Sequence, residues 1–311
     1  MSDNKHTSED LKIMQSWSLW KKIQVTQAKI MEWYYRHNGM VSVSISGGKD
    51  SAVLYDLAQR CFPNIEAVFV DTGLEFPEVR KVARNTPNVT ILKPDMRFDE
   101  VVKVHGWCFP SKDVSHTIYY ARKGSKWAIN RFNGIGEDGL PNKYRQNHYA
   151  KWKFLVDSPF IISPGCCTVM KEAPLNKHVK NTGKYPIIGT MAVESQRRRQ
   201  VWLKTGCNNF ESKNPISKPL SFWTNQDILE YIRKYNIPIA SVYGEIVEDK
   251  KGKLSTTGES RTGCIFCPAG CHLHKENRFQ RLAKTHPKLH EYCIDALGLG
   301  AFLDYVGVPK E

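Results

Sequence analysis

Long apolar runs are missing from this sequence of 311 residues. A membrane-spanning helix needs about 18 or more consecutive, mostly apolar residues. No such run occurs, and the mean hydropathy is −0.46. The first ten residues are polar and lack the apolar core of a secretory signal. We therefore expect a cytoplasmic protein that has no membrane partner.

Acidic residues are also in short supply. The chain has 31 Asp and Glu against 45 Lys and Arg, so its formal net charge is +14 at pH 7. This excess favours a polyanionic partner, and a nucleotide, a sulfated ligand and a nucleic acid all qualify. Charge alone does not choose among them.

Internal repeats and low-complexity tracts are absent too, while 41% of the residues are hydrophobic, which is enough for a substantial core. Near the start of the chain, short β-branched segments alternate with helical patterns. Strands are predicted at Val41–Ile45, 65–70 and Val89–Leu92, and helices at 49–60 and Pro77–Arg84. This alternation predicts an α/β fold with a doubly wound parallel sheet.

The chain is predicted to divide into three consecutive segments. Residues 1–40 form an N-terminal segment, in which apolar residues at helical spacing predict one helix over 11–36. Residues 41–245 form the α/β domain. Within it, periodicity fades over 106–164, which is typical of an insertion over the sheet edge. Residues 246–311 form a helical C-terminal region that contains cysteines.

Further elements are predicted in the second half of the chain. A strand is expected at 185–191, and a helix over 222–235 with Thr224 as its N-cap. Residues 248–261 are polar and contain glycine, which is typical of a loop. Residues 275–299 are again helical, apart from a break at Pro287.

The first predicted strand is followed by Ser46-Gly47-Gly48-Lys49-Asp50-Ser51. In a parallel sheet, this turn presents backbone N–H groups and a helix N-terminus, which together bind anions. The glycines let the backbone approach phosphates, the serines supply hydroxyl groups and the lysine supplies a charge. The spacing differs from the G-x-x-x-x-G-K-[ST] loop of common kinases and GTPases. We predict a phosphate site at 46–51.

Nine cysteines in a reducing compartment indicate metal binding or catalysis rather than disulfide bonds. Two closely spaced pairs stand out, Cys166-Cys167 and Cys264-Ile265-Phe266-Cys267. Four thiolates suit either tetrahedral zinc or an iron–sulfur cluster, and spacing does not separate the two. Cys271 lies four residues after Cys267 and is followed by the candidate tuning residues His272 and His274. It either carries sulfur, serves as an alternative ligand or has no chemical role.

The loop at 46–51 resembles the PP-loop of the adenine-nucleotide alpha-hydrolase superfamily, which includes ATP pyrophosphatases and sulfonucleotide reductases. Two later segments are similar to motifs of the phosphoadenosine phosphosulfate reductase family within it. One is Asp71-Thr72-Gly73-Leu74-Glu75-Phe76-Pro77-Glu78, and the other covers 189–199, where Met191 replaces the first arginine of the family motif. The cysteine pattern, with Lys171 and Pro174 after the first pair, is similar to the cluster-binding reductases of the family.

The resemblance implies an adenine-nucleotide alpha-hydrolase type fold and a site for ATP or another adenine nucleotide. It also implies a [4Fe-4S] cluster, with zinc as the runner-up, on Cys166, Cys167, Cys264 and Cys267. The predicted nucleotide contacts are Ser46, Gly47, Gly48, Lys49, Asp50, Ser51, Asp71, Thr72, Gly73, Lys171, Gly189, Glu194, Ser195 and Arg198. The predicted catalytic residues are Lys49, Asp50, which is also a candidate Mg²⁺ ligand, Arg198 and Cys271.

The reductases that this chain resembles carry a catalytic cysteine in a C-terminal E-C-G-[IL]-H element, which the sequence lacks. We therefore expect ATP pyrophosphatase-type activation coupled to sulfur transfer onto a nucleic acid, with a sulfur donor or electron-donor protein as partner. Two alternatives stay open. One is a sulfonucleotide reductase that releases sulfite, and the other is a non-catalytic nucleic-acid-binding protein with a structural zinc.

Residues 112–153 are relevant to the expected nucleic acid that accepts the sulfur. Lysines and arginines are interleaved there with tyrosine, tryptophan and phenylalanine. Cations for phosphates and aromatic faces for unstacked bases are what single-strand recognition uses. The alternative is a basic, solvated insertion whose aromatic side chains pack on the sheet.

Overall fold

The computed structural model describes residues 5–311. The chain forms two compact units, each assembled from two segments. The sheet unit comprises Met1–Lys93 and Leu175–Thr262, and the helical unit comprises Pro94–Pro174 and Gly263–Glu311. These units interleave along the chain, whereas the division predicted from the sequence is consecutive. That consecutive division stays a prediction.

The sheet unit is built on six strands. They are β1 (Val41–Ile45), β2 (Glu66–Val70), β3 (Val89–Leu92), β4 (Tyr185–Ile188), β5 (Asn208–Asn209) and β6 (Ile216–Ser217). Their order is β3-β2-β1-β4-β6-β5, and every neighbouring pair is parallel except β5 with β6. The predicted doubly wound, mainly parallel sheet is therefore confirmed.

The helices follow the same division. The sheet unit contains α1 (Ser8–Gln15), α2 (Leu19–Arg36), α3 (Lys49–Cys61), α4 (Pro77–Arg84), α11 (Gln196–Thr205) and α12 (Asn225–Tyr235). The helical unit contains α5 (Phe98–His105), α6 (Lys112–Arg122), α7 (Lys126–Phe132), α8 (Lys143–His148), α9 (Gly165–Cys167), α13 (Arg278–Thr285), α14 (Pro287–Glu291) and α15 (Leu299–Tyr305). The chain passes from the helical unit to the sheet unit within α10 (Ala173–Thr182). No helix among residues 5–311 is both long enough and apolar enough to cross a membrane.

Strand β1 occupies the centre of the sheet. Val43 of β1 lies opposite Ala67 of β2 on one side and Ile187 of β4 on the other. All three side chains are fully buried. The chain runs from β1 outward through β2 to β3 and then returns to β4 on the other side. Ligands of open α/β sheets bind at such a reversal, beyond the carboxyl ends of the strands.

The N-terminal segment departs from its prediction. The single helix expected over 11–36 is two helices, α1 and α2, because the chain breaks at 16–18. The hydroxyl of Ser18 accepts a hydrogen bond from the backbone N–H of Lys21, 3.4 Å away, and so caps the new helix. Apolar spacing continues across the break, which is why the pattern alone predicts one helix.

Two other segments also differ from expectation. The loop predicted over 248–261 includes half of a hairpin, formed by β7 (Ile246–Glu248) and β8 (Leu254–Thr256). The side-chain amide of Gln226 bonds both the N–H and the carbonyl of Leu254, at 2.7 and 2.8 Å, and so holds β8 as a neighbouring strand would. The insertion over 106–164 is largely helical, and its predicted position over the sheet edge stays a prediction.

A buried ion pair joins α2 to α12. The Lys22 ammonium donates to both carboxylate oxygens of Asp227, at 2.7 and 2.8 Å, and to the Gln15 carbonyl at 2.7 Å. The Thr224 hydroxyl accepts from the Asp227 N–H at 3.4 Å, so the predicted N-cap is confirmed, and the Asp227 carboxylate accepts from the Thr224 N–H in return, at 2.6 Å. The pair and the bond to Gln15 thus link α1 and α2 to α12.

Replacing Lys22 by Met tests this link. Removing one partner of a buried pair leaves an uncompensated charge, so we expect Lys22→Met to lower the free energy of unfolding by about 3–5 kcal/mol. The control is Lys12→Met, because Lys12 pairs with Glu9 on the exposed surface, where such a pair contributes less than about 1 kcal/mol. Urea unfolding measures both losses. Equal losses in the two variants would show that the buried pair is not a structural link.

Candidate functional site

The loop after β1 is closed by its own serine side chains. The Ser51 hydroxyl donates to the Gly48 carbonyl at 2.8 Å and accepts from the Ser46 N–H at 3.2 Å. The Ser46 hydroxyl in turn accepts from the Gly48 N–H at 3.4 Å. These bonds fold the loop back over the first turn of α3. The result is a tight turn at a helix N-terminus, the geometry in which backbone amides bind phosphate.

Gly47 is required by this turn. Its φ is +71°, in the left-handed region that favours glycine, and a Cβ at this position would lie 2.3 Å from the backbone oxygen of Val79 in α4. No side chain fits there without moving the helix. The close approach of loop and helix therefore depends on glycine at this position.

Lys49 and Asp50 begin α3. The Lys49 ammonium is buried and lies 2.9 Å from Oδ1 of Asp50, so the two predicted catalytic side chains are paired. The backbone N–H of Lys49 donates to the hydroxyl of Tyr243 at 3.1 Å, and that hydroxyl lies 2.6 Å from the Thr262 hydroxyl. A segment far along the chain thus reaches the amide end of α3.

Asp71 follows β2 and is fully engaged by arginines. Its carboxylate accepts from Nε of Arg80 at 2.6 Å and from Nε and Nη2 of Arg84, with the Nε bond at 2.8 Å. Burial by itself opposes a charge on Asp71, but the two guanidinium groups outweigh it and lower the pKa of the carboxyl group. In this arrangement Asp71 anchors α4 to the end of β2.

Thr72 and Gly73 complete the turn after Asp71. The Thr72 hydroxyl donates to both carboxylate oxygens of Glu75, at 2.8 and 2.9 Å, and accepts from the Leu74 N–H at 3.1 Å. Gly73 has a φ of +72° and open space where a Cβ would lie. The space beside the Gly73 backbone is therefore open at this edge.

The segment after β4 supplies the remaining predicted contacts in the sheet unit. Gly189 lies against the start of α3, since a Cβ there would be 3.4 Å from the carbonyl oxygen of Asp50. The Glu194 carboxylate accepts from the Met191 N–H at 2.8 Å and forms ion pairs with Arg198 and Arg261. Ser195 caps α11 by accepting from the Arg198 N–H at 3.2 Å.

The four cysteines predicted as metal ligands all lie in the helical unit. Burial raises the pKa of the Cys166 thiol, and the neighbouring thiols of Cys167, Cys264 and Cys267 raise it further. Burial likewise raises the pKa of Cys267 to about 11, and Cys264 adds to the rise. The four thiols are therefore close enough to interact electrostatically.

Cys108 joins this group, although its sequence position gives no sign of it. Burial raises its pKa to about 12, and the charges of Cys267 and Cys167 contribute. The Lys112 ammonium donates to the Cys167 sulfur, and this interaction outweighs burial and raises the pKa of Lys112. Sulfur donors and a neighbouring cation suit a thiolate-bound metal group in their chemistry. Within residues 5–311, however, no three His, Cys, Asp or Glu side chains stand in metal-binding geometry.

Cys271 is buried, with 1% of its surface exposed. Burial raises the pKa of its thiol to about 12 against the opposing charge of Arg278, so the thiol is protonated at neutral pH. His272 packs edge-on against Phe109 and Trp152, with ring centroids 5.3 and 5.0 Å apart. The sulfur-carrier role of Cys271 stays a prediction that needs the thiol to become exposed.

The structure thus gathers the predicted residues into two groups. The loop at 46–51, the turn at 71–73 and residues 189–198 lie in the sheet unit, and Lys171 lies with the cysteines in the helical unit. Sequence reasoning missed Tyr243, Thr262, Arg261 and Cys108. The only available signal was that Arg261 and Thr262 immediately precede Gly263 and the second cysteine pair.

A family model matches residues from both of these groups. The model of the phosphoadenosine phosphosulfate reductase domain matches residues 40–116 and 140–271, more than half of the chain. The loop at 46–51, the turn at 71–73, residues 189–198 and all four predicted metal ligands fall within the matched residues.

Individual relatives are more distant. The chain is 26% identical over 270 residues to an adenosine 5′-phosphosulfate reductase of Oceanobacillus iheyensis, covering 83% of this chain and 84% of the relative. It is 25% identical over 288 residues to an uncharacterised protein of Methanocaldococcus jannaschii, covering 89% of this chain but only 53% of that longer protein. Among solved structures, the phosphate complex of phosphoadenylyl-sulfate reductase from Candida auris is 16% identical, with a TM-score of 0.40, and covers 79% of this chain and 97% of that chain.

The anchoring role of Asp71 predicts an acid dependence. Since its pKa is lowered on folding, its stabilising contribution is complete above the ordinary value of 3.8 and disappears as the pH falls through the folded-state value. We expect Asp71→Asn to lower the free energy of unfolding by about 1–3 kcal/mol at neutral pH. The difference from the wild type should shrink below pH 3.8.

Urea unfolding across this pH range provides the measurement. Glu230→Gln is the control, because Glu230 is an exposed carboxylate on α12 and its loss should leave the pH profile unchanged. A constant difference between wild type and Asp71→Asn at all pH values would contradict the assignment.

Proposed function

This chain belongs to the phosphoadenosine phosphosulfate reductase domain family, and we propose that it is an enzyme that binds an adenine nucleotide at loop 46–51. We further propose that the nucleotide is ATP, that the products include pyrophosphate, and that the activated intermediate then accepts sulfur. The loop geometry carries the proposal. Its serine hydroxyls, its left-handed Gly47 and the buried Lys49 converge on the N-terminus of α3.

The proposed reaction divides into two displacements. An oxygen of the acceptor attacks the α-phosphorus of ATP, the bond from that phosphorus to the bridging oxygen breaks, and pyrophosphate leaves. A sulfur nucleophile from a donor then attacks the acceptor carbon that bears the adenylated oxygen. The bond from this carbon to that oxygen breaks, and AMP leaves with the oxygen. The loop amides and Lys49 would stabilise charge on the phosphates. Asp50 would place Mg²⁺ once a ligand draws Lys49 away from it.

The state of the cysteines favours this route over direct reduction. Reduction through a thiol requires a nucleophilic thiolate in the chain or on a partner. Among the described residues, the five cysteines outside the predicted ligand set are buried or half-buried, and burial raises the pKa of each. They are Cys61, Cys108, Cys207, Cys271 and Cys293.

We also propose that Cys166, Cys167, Cys264 and Cys267 hold a [4Fe-4S] cluster. The electrostatic coupling of these thiols within one unit supports a common ligand. When bound, such a cluster supplies one-electron redox chemistry. Structural zinc on the same thiolates is the competing assignment, because four sulfur donors suit both groups.

The proposed acceptor is a nucleic acid, and the helical unit supports this with an exposed aromatic surface. The rings of His116, Tyr120 and Trp127 lie 4.7 to 5.8 Å from one another. Tyr120 is 37% and Trp127 is 39% exposed. Lys123 lies over the neighbouring Tyr119 ring. Exposed rings beside cations suit stacking of unpaired bases.

A sulfonucleotide reductase is the second candidate. It is favoured by the names of relatives such as the Oceanobacillus iheyensis enzyme, to which the chain is similar over most of both lengths. In that case the nucleophilic thiol must come from a partner or from a buried cysteine that becomes exposed. Sulfite release from adenylyl sulfate or its 3′-phosphorylated form would identify this activity.

Lys49→Ala tests the proposed activity. We expect protein purified without oxygen to contain iron and acid-labile sulfide and to release pyrophosphate from ATP. Lys49→Ala should lower that release by at least about 100-fold, because the variant lacks the buried cation at the phosphates. Its iron and sulfide content should be unchanged, since the thiols lie in the other unit. Lys250→Ala, an exposed control in the sheet unit, should behave as the wild type.

The outcomes separate the candidates. Wild-type turnover in Lys49→Ala would overturn the role of the loop. Zinc in place of iron and sulfide, together with a lack of turnover of ATP and both sulfonucleotides, would favour the non-catalytic alternative.

The acceptor surface has its own test. We expect Trp127→Ala to weaken binding of a single-stranded oligonucleotide by about 1–3 kcal/mol, the usual contribution of one stacked base. Tyr305→Ala removes an aromatic ring of similar exposure elsewhere in the helical unit and should have little effect. Fluorescence anisotropy at fixed salt measures both. Equal affinities for wild type and Trp127→Ala would remove this surface as the acceptor site.

A further inference from the structure

Two guanidinium groups pair with one carboxylate in the sheet unit, and two further cations lie near them. Glu194, which is 9% exposed, pairs with Nη1 of Arg198 and Nη2 of Arg261. Lys218 and Arg197 complete the group. Arg197 precedes Arg198 on α11, and the charges of both arginines act on Lys218. One carboxylate does not balance four cations. The group, which we call the Glu194 cluster, therefore has an excess of positive charge.

The excess of positive charge affects the pKa of Lys218. It follows β6, the neighbour of β4 in the sheet, so it lies at the carboxyl edge of the strands. Burial lowers the pKa of its ammonium group, and the charges of Arg198 and Arg197 lower it further. Among residues 5–311, the ammonium group has no hydrogen-bond or ion-pair partner. An anion at this position would relieve the repulsion.

The Glu194 cluster is connected to loop 46–51 through the residue that follows Arg261. The Thr262 hydroxyl lies 2.6 Å from that of Tyr243, which accepts the Lys49 N–H. A Cβ on Gly48 would lie 3.4 Å from the same Thr262 oxygen. Burial raises the pKa of Tyr243, and the charge of the Arg261 guanidinium opposes the rise. Arg261 therefore acts electrostatically on a side chain that contacts the loop.

We propose that Arg261 and Lys218, together with Arg198, bind the oxyanion group at the far end of the nucleotide whose first phosphate is held by loop 46–51. The proposal rests on the proposed function, because it assumes a nucleotide at the loop. Its ligand is a tetrahedral oxyanion group, either the outer phosphates of ATP or the sulfate of a sulfonucleotide.

The side chains are suited to this ligand. A guanidinium group has five N–H donors, so Arg198 and Arg261 keep donors for a ligand after bonding Glu194. Glu194 fixes both guanidinium groups on one side of the site, which reduces the entropy lost on binding. Lys218 adds a point charge from the carboxyl end of β6, the strand next to β4. Arg261 would thus supply a fork that segment 189–199 lacks at Met191.

Binding of inorganic pyrophosphate to the full chain tests the subsite. By isothermal titration calorimetry, we expect Arg261→Gln and Lys218→Met each to weaken pyrophosphate binding about tenfold or more, as loss of one charge-assisted pair implies. AMP lacks the outer groups and does not reach these side chains. The affinity of each variant for AMP should therefore stay within about twofold of the wild-type affinity. Arg261→Lys should recover part of the loss by restoring the charge without the fork.

Arg233→Gln is the matched control. Arg233 is an arginine of similar exposure in the same unit, paired with Glu248 on the surface, and its loss should leave pyrophosphate binding unchanged. Thermal unfolding of each variant establishes that the fold is intact. Titrations with ATP and with adenylyl sulfate distinguish the two sources of the oxyanion, since the variants should lose affinity for whichever ligand reaches the cluster.

The results separate this proposal from the proposed function. Wild-type pyrophosphate affinity in folded Arg261→Gln and Lys218→Met would overturn the subsite, even if Lys49-dependent ATP turnover stands. Weakened pyrophosphate binding in these variants, without any ATP turnover by the wild type, would support the subsite and overturn the proposed reaction. Failure of the wild type to bind pyrophosphate, ATP and adenylyl sulfate would overturn both.

Discussion

The burial of β1 between two parallel neighbours is the constraint on which the sheet unit depends. β2 and β4 pair with the two edges of β1, so the position of β1 and of its carboxyl end is fixed. There the chain must turn within three residues into α3, and Gly47 makes this possible by packing against the Val79 backbone. The loop, the strand and α4 are therefore fixed to one another. Backbone amides on such a turn are already ordered, so a ligand that bound them would lose little entropy in ordering the loop.

The fold was predictable where the sequence pattern is local. β1, α4 and β3 begin and end as predicted, since β-branched runs and a proline at the first helical position are signals confined to a few residues. The break between α1 and α2 was not, because helical spacing of apolar residues carries through it. Strand β8 was also missed. Its backbone is bonded by the side chain of Gln226, and no pattern within 248–261 records that partner.

The candidate site shows the same limit. The contiguous loop at 46–51 was identified because its residues share one turn, and the cysteine pairs because their spacing is short. Tyr243 reaches the Lys49 amide from a position almost two hundred residues away, and Cys108 enters the electrostatic surroundings of Cys166 from outside either pair. Such contacts are created by tertiary packing. A single sequence contains no record of them, so composition and spacing underestimate how many residues serve a site.

The net charge of +14 also needs to be interpreted by location. Some of the arginines bond within the fold. Arg122 donates to the carbonyls of Leu155, Val156, Ser158 and Phe160, and Arg278 to that of Cys264. Arg80 and Arg84 neutralise Asp71. Arginines that are bonded in this way stabilise the fold and contribute little to recognition of a distant polyanion. In the Glu194 cluster the named cations outnumber the carboxylate, and burial and neighbouring arginines lower the pKa of Lys218 there. A basic isoelectric point thus argues for an anionic ligand only after the structural arginines are set aside, and the oxyanion subsite proposed above rests on cations that remain after that step.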